Sequence, residues 1–231
     1  MPELKPSTLY RNSDAHTYLD QDINDPHQRA VVRSVLAAAS IQPGDWVLEI
    51  GAGSGRYTRL LLDLGIRVIA AEPDDSLRAK LAATASDSCV VVPDAVGKST
   101  ISETVVAVVG FHILHHLDTA VLNELEVQIA TAENRSSWRG AAFLEPNPLN
   151  PLFMVQVICS PSIRMSEERR LWSVRFHGHG PGRLGVPSHV GLIPPAISRR
   201  TGWAPARPFQ VKGRWCPWSA YRIVARRKPA T

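Results

Sequence analysis

Between Val47 and Thr58 the chain reads VLEIGAGSGRYT, with three glycines crowded directly behind a short apolar run. Glycine enters left-handed backbone without a Cβ penalty, so such a corner marks a tight turn or a place where another group approaches the main chain. Its flanks narrow the choice. Ahead of it, PHQRAVVRSVLAAAS (26–40) carries apolar residues at helical spacing, QPGD breaks that pattern, and WVLEI starts a strand. Behind it, RYTRLLLDLG reads as a helix stopped by Gly65, and RVIAAE as a second strand. Trp46 to Glu72 is thus a βαβ unit, which implies parallel strands and a right-handed crossover.

The alternation continues through DSLRAKLAATA (helix), CVVVPDA (strand), VVAVVGFHIL (strand), TAVLNELEVQIATAE (helix) and GAAFLEPNP (strand). Nearly all-apolar strands separated by helices argue for a parallel sheet covered on both faces, a doubly wound α/β fold. Past Pro146 the pattern weakens. NPLFMVQVICS is compatible with a helix, and 177–195 is so rich in Gly and Pro that it reads as an extended loop or lid. PFQVKGRW and SAYRIVARR then read as an antiparallel hairpin turned at CPW on the sheet edge. The expectation is a mostly parallel, seven-stranded sheet in one domain spanning 1–231. Within it, 1–40 forms an N-terminal helical cap, 41–150 a ligand-binding core, and 151–231 a loop or lid followed by the C-terminal hairpin.

A length of 231 residues suits a single core, and 44% hydrophobic with 20% charged residues is ordinary for a globular protein. The longest apolar run, near Val105 to Leu114, is too short to span a bilayer, and MPELKPSTLY lacks the pattern of a secretory signal, so a cytoplasmic location is expected. Cys89, Cys159 and Cys216 are too scattered for a disulfide framework or a zinc site. His177 and His179 have no carboxylate or cysteine at ligand spacing, and no metal is expected. Charge is lopsided. From Arg169 onward there are 13 Lys and Arg and no acid, while 13 basic residues face all 21 acids before that point, leaving +13 and −8. Such a distribution suits an anionic partner, or is a solvated basic face.

In an open α/β sheet, ligands bind beyond the carboxyl ends of the strands where strand order reverses. The glycine corner is therefore read as a ligand cradle. A dinucleotide fingerprint would place a third glycine where Arg56 stands, and no P-loop Lys-Ser/Thr follows, so both nucleotide-phosphate readings weaken. The segment EIGAGSG, Glu49 to Gly55, instead resembles motif I of the class I methyltransferases, which bind S-adenosylmethionine. Glu72 ends the second strand at the acidic position that in this family accepts from the ribose diol, a fit for an acceptor-only carboxylate. PDAV (93–96) is similar to the family's third-strand segment, which makes Asp94 the counterpart of the residue accepting from the adenine amino group. GFHILHHLD (110–118) resembles the fourth-strand region of small-molecule methyltransferases, and FLEPNP (143–148) the fifth strand.

The resemblance covers residues 40–150. It implies a cofactor site built from Glu49, Gly51, Ala52, Gly53, Gly55, Glu72, Pro73, Asp94, Ala95, Gly110 and Phe111. It also implies transfer of a methyl group to an O, N or C atom of a small molecule by in-line displacement, a reaction that profits from positioning and from a general base. His112 is the first candidate base, with His115 the second, and a pocket-lining role is the alternative for each. Glu145 and Asn147 either face the acceptor or cap a helix near Pro148. Other functional readings are an RNA-directed methyltransferase using the basic C-terminal region, an NAD-dependent oxidoreductase, and a cofactor-binding protein without turnover. The expected acceptor is a small molecule, with an anionic one suited to the charge; nucleic acid is the lesser expectation, and the oligomeric state is not read from the sequence.

Overall fold

The structure, a computed structural model, describes residues 26–93, 101–151, 153–155, 188–191, 209–212, 216 and 219–228. Among the described residues the first helix, α1, spans Pro26–Ala38. It is followed by β1 (Trp46–Ile50), α2 (Arg56–Asp63), β2 (Arg67–Ala71), α3 (Asp75–Leu81) and β3 (Cys89–Val92). Then come β4 (Ala107–Phe111), α4 (Thr119–Ala132), β5 (Gly140–Pro146), β6 (Ser188–Gly191), β7 (Phe209–Lys212) and β8 (Tyr221–Arg227). Helix starts follow capping chemistry: the Asp74 side chain accepts from the N–H groups of Ser76 and Leu77 at α3, and Asp118 accepts from Val121 N–H at α4. Helix α2 differs, because glycine stands at its N-cap and no side chain closes it.

The strands form one sheet in the order β3-β2-β1-β4-β5-β8-β6-β7, parallel from β3 through β5 and antiparallel beyond. Order reverses between β1 and β4, where Ile50 pairs with Gly110. Alternation along each strand divides the core. Val47, Val109 and Leu144 pack with α1 and α2 on one face; Leu48, Val108 and Phe143 pack with α4 on the other. Both faces are covered, as a doubly wound sheet requires.

Two expectations at the sheet's far edge are corrected. Among the described residues the sheet has eight strands rather than seven, and β7 and β8 do not pair with each other: β6 lies between them, its Ser188 opposite both Lys212 and Ile223. The added strand, SHVG, falls inside the segment read as a loop. Four residues flanked by Gly and Pro are too short to show alternation, so only the pairing reveals them. Of the expected helix at 150–160, residues 151 and 153–155 are helical. The cap residues 1–25 and most of 177–195 lie outside the described residues.

Candidate active site

The glycine corner leaves β1 at the switch point. Gly51 has φ 65° and Gly53 φ 59°, left-handed values that β-carbons resist. Their surroundings differ. A Cβ on Gly51 would lie 2.5 Å from Ile113 Cδ1, whereas one on Gly53 would meet nothing within 4 Å among the described residues. Gly53 thus borders open space, and Gly51 lets the residues after β4 close onto β1. Gly110 serves the same contact from the other strand, since its Cβ would lie 2.7 Å from Ile113 Cγ2.

Two acids converge on this corner. Glu72 accepts from Gly53 N–H (2.8 Å) through one oxygen and from Asp74 N–H (2.9 Å) through the other. Burial raises its pKa above the ordinary value, although both backbone bonds oppose the shift. Glu49, on the α2 face of β1, is 1% exposed and accepts from Thr58 Oγ1 at 2.6 Å. Burial, helped by the nearby Glu72 charge and opposed by the Thr58 bond, pushes it up to about 8. Ala52 is buried, its N–H donating to Ala71 O, and Pro73 is exposed beside Glu72. Asp94 and Ala95 lie outside the described residues.

The carboxyl end of β4 carries the histidines, and the sheet separates them. His115 is buried on the α4 side, where Nδ1 donates to Glu145 Oε2 at 2.5 Å. The other Glu145 oxygen accepts from Ile113 N–H (3.0 Å) and Leu114 N–H (2.9 Å). Burial alone would raise Glu145, but the hydrogen bond and charge of His115, with His112 and the Leu114 N–H, overcome it and hold the carboxyl below its ordinary value. This is a brace for the β4–α4 connection. Asn147 is also a tie: Nδ2 donates to Cys216 O and to Ser219 O and Oγ, fastening the end of β5 to the approach to β8.

His112 turns the other way. Its backbone sits at φ 56°, rare for a non-glycine residue, and its N–H donates to Leu144 O at 2.7 Å. Nε2 lies 3.2 Å from the Tyr57 hydroxyl, and the ring leans toward Tyr221 with centroids 5.4 Å apart. Tyr57 is stacked flat on Phe111, at 4.2 Å and 6°. Burial pushes His112 down to about 4, with Glu145 opposing and His115 and Arg56 assisting. Its Nδ1 is shielded from solvent and has no hydrogen-bond partner among the described residues.

The sequence reading missed Tyr57, because a tyrosine on an amphipathic helix reads as packing; its one signal was its place two residues behind the last glycine. The Ser54 hydroxyl, buried and without a partner among the described residues, was missed in the same way. Among the described residues, no group of three or more His, Cys, Asp or Glu could hold a metal ion, and no helix is long and apolar enough to cross a membrane.

Residues 48–128 match the family described as a methyltransferase domain. The ribosomal RNA small subunit methyltransferase A of Chlamydia muridarum is 52% identical over 44 residues, 19% of this chain and 16% of that protein. The chloroplastic ribosomal RNA small subunit methyltransferase of Arabidopsis thaliana is 32% identical over 123 residues, 50% of this chain and 33% of that one. The matches therefore span between about a sixth and a third of these relatives' lengths. A crystal structure of a SAM-dependent methyltransferase from Archaeoglobus fulgidus superposes over 86% of this chain and 92% of its own with a TM-score of 0.51 at 13% identity, which shows a shared fold. Over residues 48–128 the chain is thus similar to a methyltransferase domain. At this corner no described residue would meet a Cβ on Gly53 within 4 Å, Glu72 accepts from Gly53 N–H, and Glu49 lies near enough to feel the Glu72 charge.

Proposed function

We propose that this chain transfers a methyl group from S-adenosylmethionine to a small-molecule acceptor held beyond the carboxyl ends of β4 and β5. The observation that carries the reading is the Glu72 carboxylate seated on Gly53 N–H at the switch point. It puts negative charge on the very corner where a pyrophosphate would need backbone donors, and so favours a diol and a cation over a dinucleotide. Glu72 would take the ribose hydroxyls, Glu49 the methionine ammonium directly or through water, and Asp94 the adenine amino group, with Ala52, Pro73, Ala95, Gly110 and Phe111 bordering the cofactor. S-adenosylmethionine supplies a methyl carbon already activated by its sulfonium. The protein's task is to align the acceptor with that carbon, keep water out, and accept a proton where the acceptor carries one.

His112 is the proton acceptor in this reading, because it is neutral and its Nδ1 has no partner among the described residues. His115 is committed to Glu145 and serves the loop. A small acceptor is favoured by Phe111-His112-Ile113-Leu114, which stands where methyltransferases acting on base amino groups carry an Asn/Asp-Pro-Pro-Tyr motif. A second reading, an RNA acceptor, is supported by the names of the relatives and by 13 basic residues without an acid after Glu168. Incubation with labelled S-adenosylmethionine and either a metabolite extract or RNA fragments separates them. The proposal expects label in a small product identified by mass, and label confined to RNA would overturn the small-molecule assignment.

A further inference from the structure

We infer that Tyr57 is a positioning residue: its hydroxyl holds Nε2 of His112, leaving Nδ1 to meet the acceptor, which must therefore bring an O–H or N–H proton to that nitrogen. The inference rests on the proposed methyl transfer and names the acceptor chemistry of the same site.

Two costs meet at His112. Left-handed backbone at a non-glycine residue is strained, and a buried polar atom without a partner forfeits its hydration. The ordinary way to avoid the second lies close by, since His115 spends its Nδ1 on Glu145. His112 instead is turned to the α1/α2 face, where Tyr57 reaches only one of its nitrogens. The Tyr57 ring is fixed by its stack on Phe111, so the hydroxyl arrives from a set direction. Such paired costs at one residue beside a ligand cradle mark a group kept ready for something the protein does not itself supply.

The groups around the ring decide its protonation. Arg56 and Tyr57 face it from α2, Tyr221 from β8, Glu145 from β5, and His115 from the β4–α4 connection. Burial, with Arg56 and His115, outweighs Glu145 and keeps the imidazole neutral at physiological pH. A neutral imidazole has one N–H and one lone pair. With Nε2–H donating to the Tyr57 oxygen, the lone pair is on Nδ1. During transfer the acceptor's lone pair forms the bond to the methyl carbon while the carbon–sulfur bond breaks and its electrons go to sulfur, leaving a neutral thioether. The acceptor's proton moves to Nδ1, and the resulting imidazolium retains Tyr57 as partner of its other N–H. Hydroxyls and heteroaromatic N–H groups gain from this arrangement; a neutral amine, already nucleophilic, does not need it.

The test reads the tautomer directly. Protein labelled with ¹⁵N-histidine is studied by two-bond nitrogen–proton correlation between pH 5 and 8, alone and saturated with S-adenosylhomocysteine. The His112 signal is assigned by its loss in His112→Asn, since asparagine tolerates left-handed backbone. The expected result is a neutral ring protonated on Nε2, converted by Tyr57→Phe into a mixture of tautomers while S-adenosylhomocysteine affinity is retained. A proton on Nδ1 in the parent protein, or an unchanged tautomer in Tyr57→Phe, would overturn the inference. Failure of S-adenosylhomocysteine to bind would instead sink the underlying methyltransferase reading, because the tautomer is also measured without it.

Discussion

Glu49 and His112 push the stability of the ligand-free protein in opposite directions with pH. Glu49 is raised from 4.5 to about 8, so between those values the folded state binds more protons than the unfolded one, and stability falls as pH rises through that window. His112 is lowered from 6.5 to about 4, so its contribution is present above 6.5 and is lost as pH falls toward 4. Glu49→Gln keeps an oxygen for the Thr58 hydroxyl and removes the titration. Thermal melts should show the parent losing stability from pH 6 to pH 8 and the variant holding nearly level; parallel curves would contradict the assignment. The two glycines give a second contrast. Gly51→Ala meets left-handed strain of about 1–2 kcal/mol and also displaces Ile113, so urea unfolding should show the larger loss. Gly53→Ala bears the strain alone, but its methyl enters the open side of the cradle, so its effect should appear chiefly as weakened S-adenosylhomocysteine binding in calorimetry. The glycines and Glu72 could be found in the sequence because their roles permit few residue types. Tyr57 and the Nδ1 of His112, which has no partner among the described residues, could not, since both depend on the His112 ring turning to the α2 side of the sheet after β4.

At the scale of elements, the connection from β4 to α4 hangs on the single carboxylate of Glu145, which gathers two backbone N–H groups and His115. Leaving a buried hydrogen-bonding group without its partner costs roughly 1–3 kcal/mol. Glu145→Ala should therefore destabilise on that order, and adding His115→Ala should cost much less than the sum of the single losses. Additive losses in a double-mutant cycle by urea denaturation would show that the brace is not a unit. The five parallel strands were legible because each is an apolar run, and β1, β2 and β4 are each followed by a helical period. The antiparallel edge was not. Strand β6 is marked neither by alternation nor by apolar content, and placing β7 beside β8 followed the rule that sequence neighbours pair, which β6 breaks by supplying partners to both.

Across the whole molecule, every acid lies at or before Glu168 and an unbroken basic excess follows it. If that excess served an RNA acceptor, log affinity for a single-stranded fragment would fall with log salt at a slope near −0.7 per phosphate contacted. The small-molecule reading predicts only weak association that is gone by 0.2 M salt, while S-adenosylhomocysteine affinity barely changes. Tight, saturable RNA binding at that salt would shift the acceptor to nucleic acid without disturbing the cofactor site. The central claim is that the corner from Gly51 to Gly55, with Glu72 on Gly53 N–H, receives a sulfonium nucleoside. Isothermal titration calorimetry of the parent protein and Glu72→Ala against S-adenosylmethionine, S-adenosylhomocysteine and NADH tests it most directly. The account predicts one-to-one binding of the two adenosyl ligands, at least tenfold weaker in Glu72→Ala, and no heat with NADH; saturable NADH binding with silence from both adenosyl ligands would contradict it.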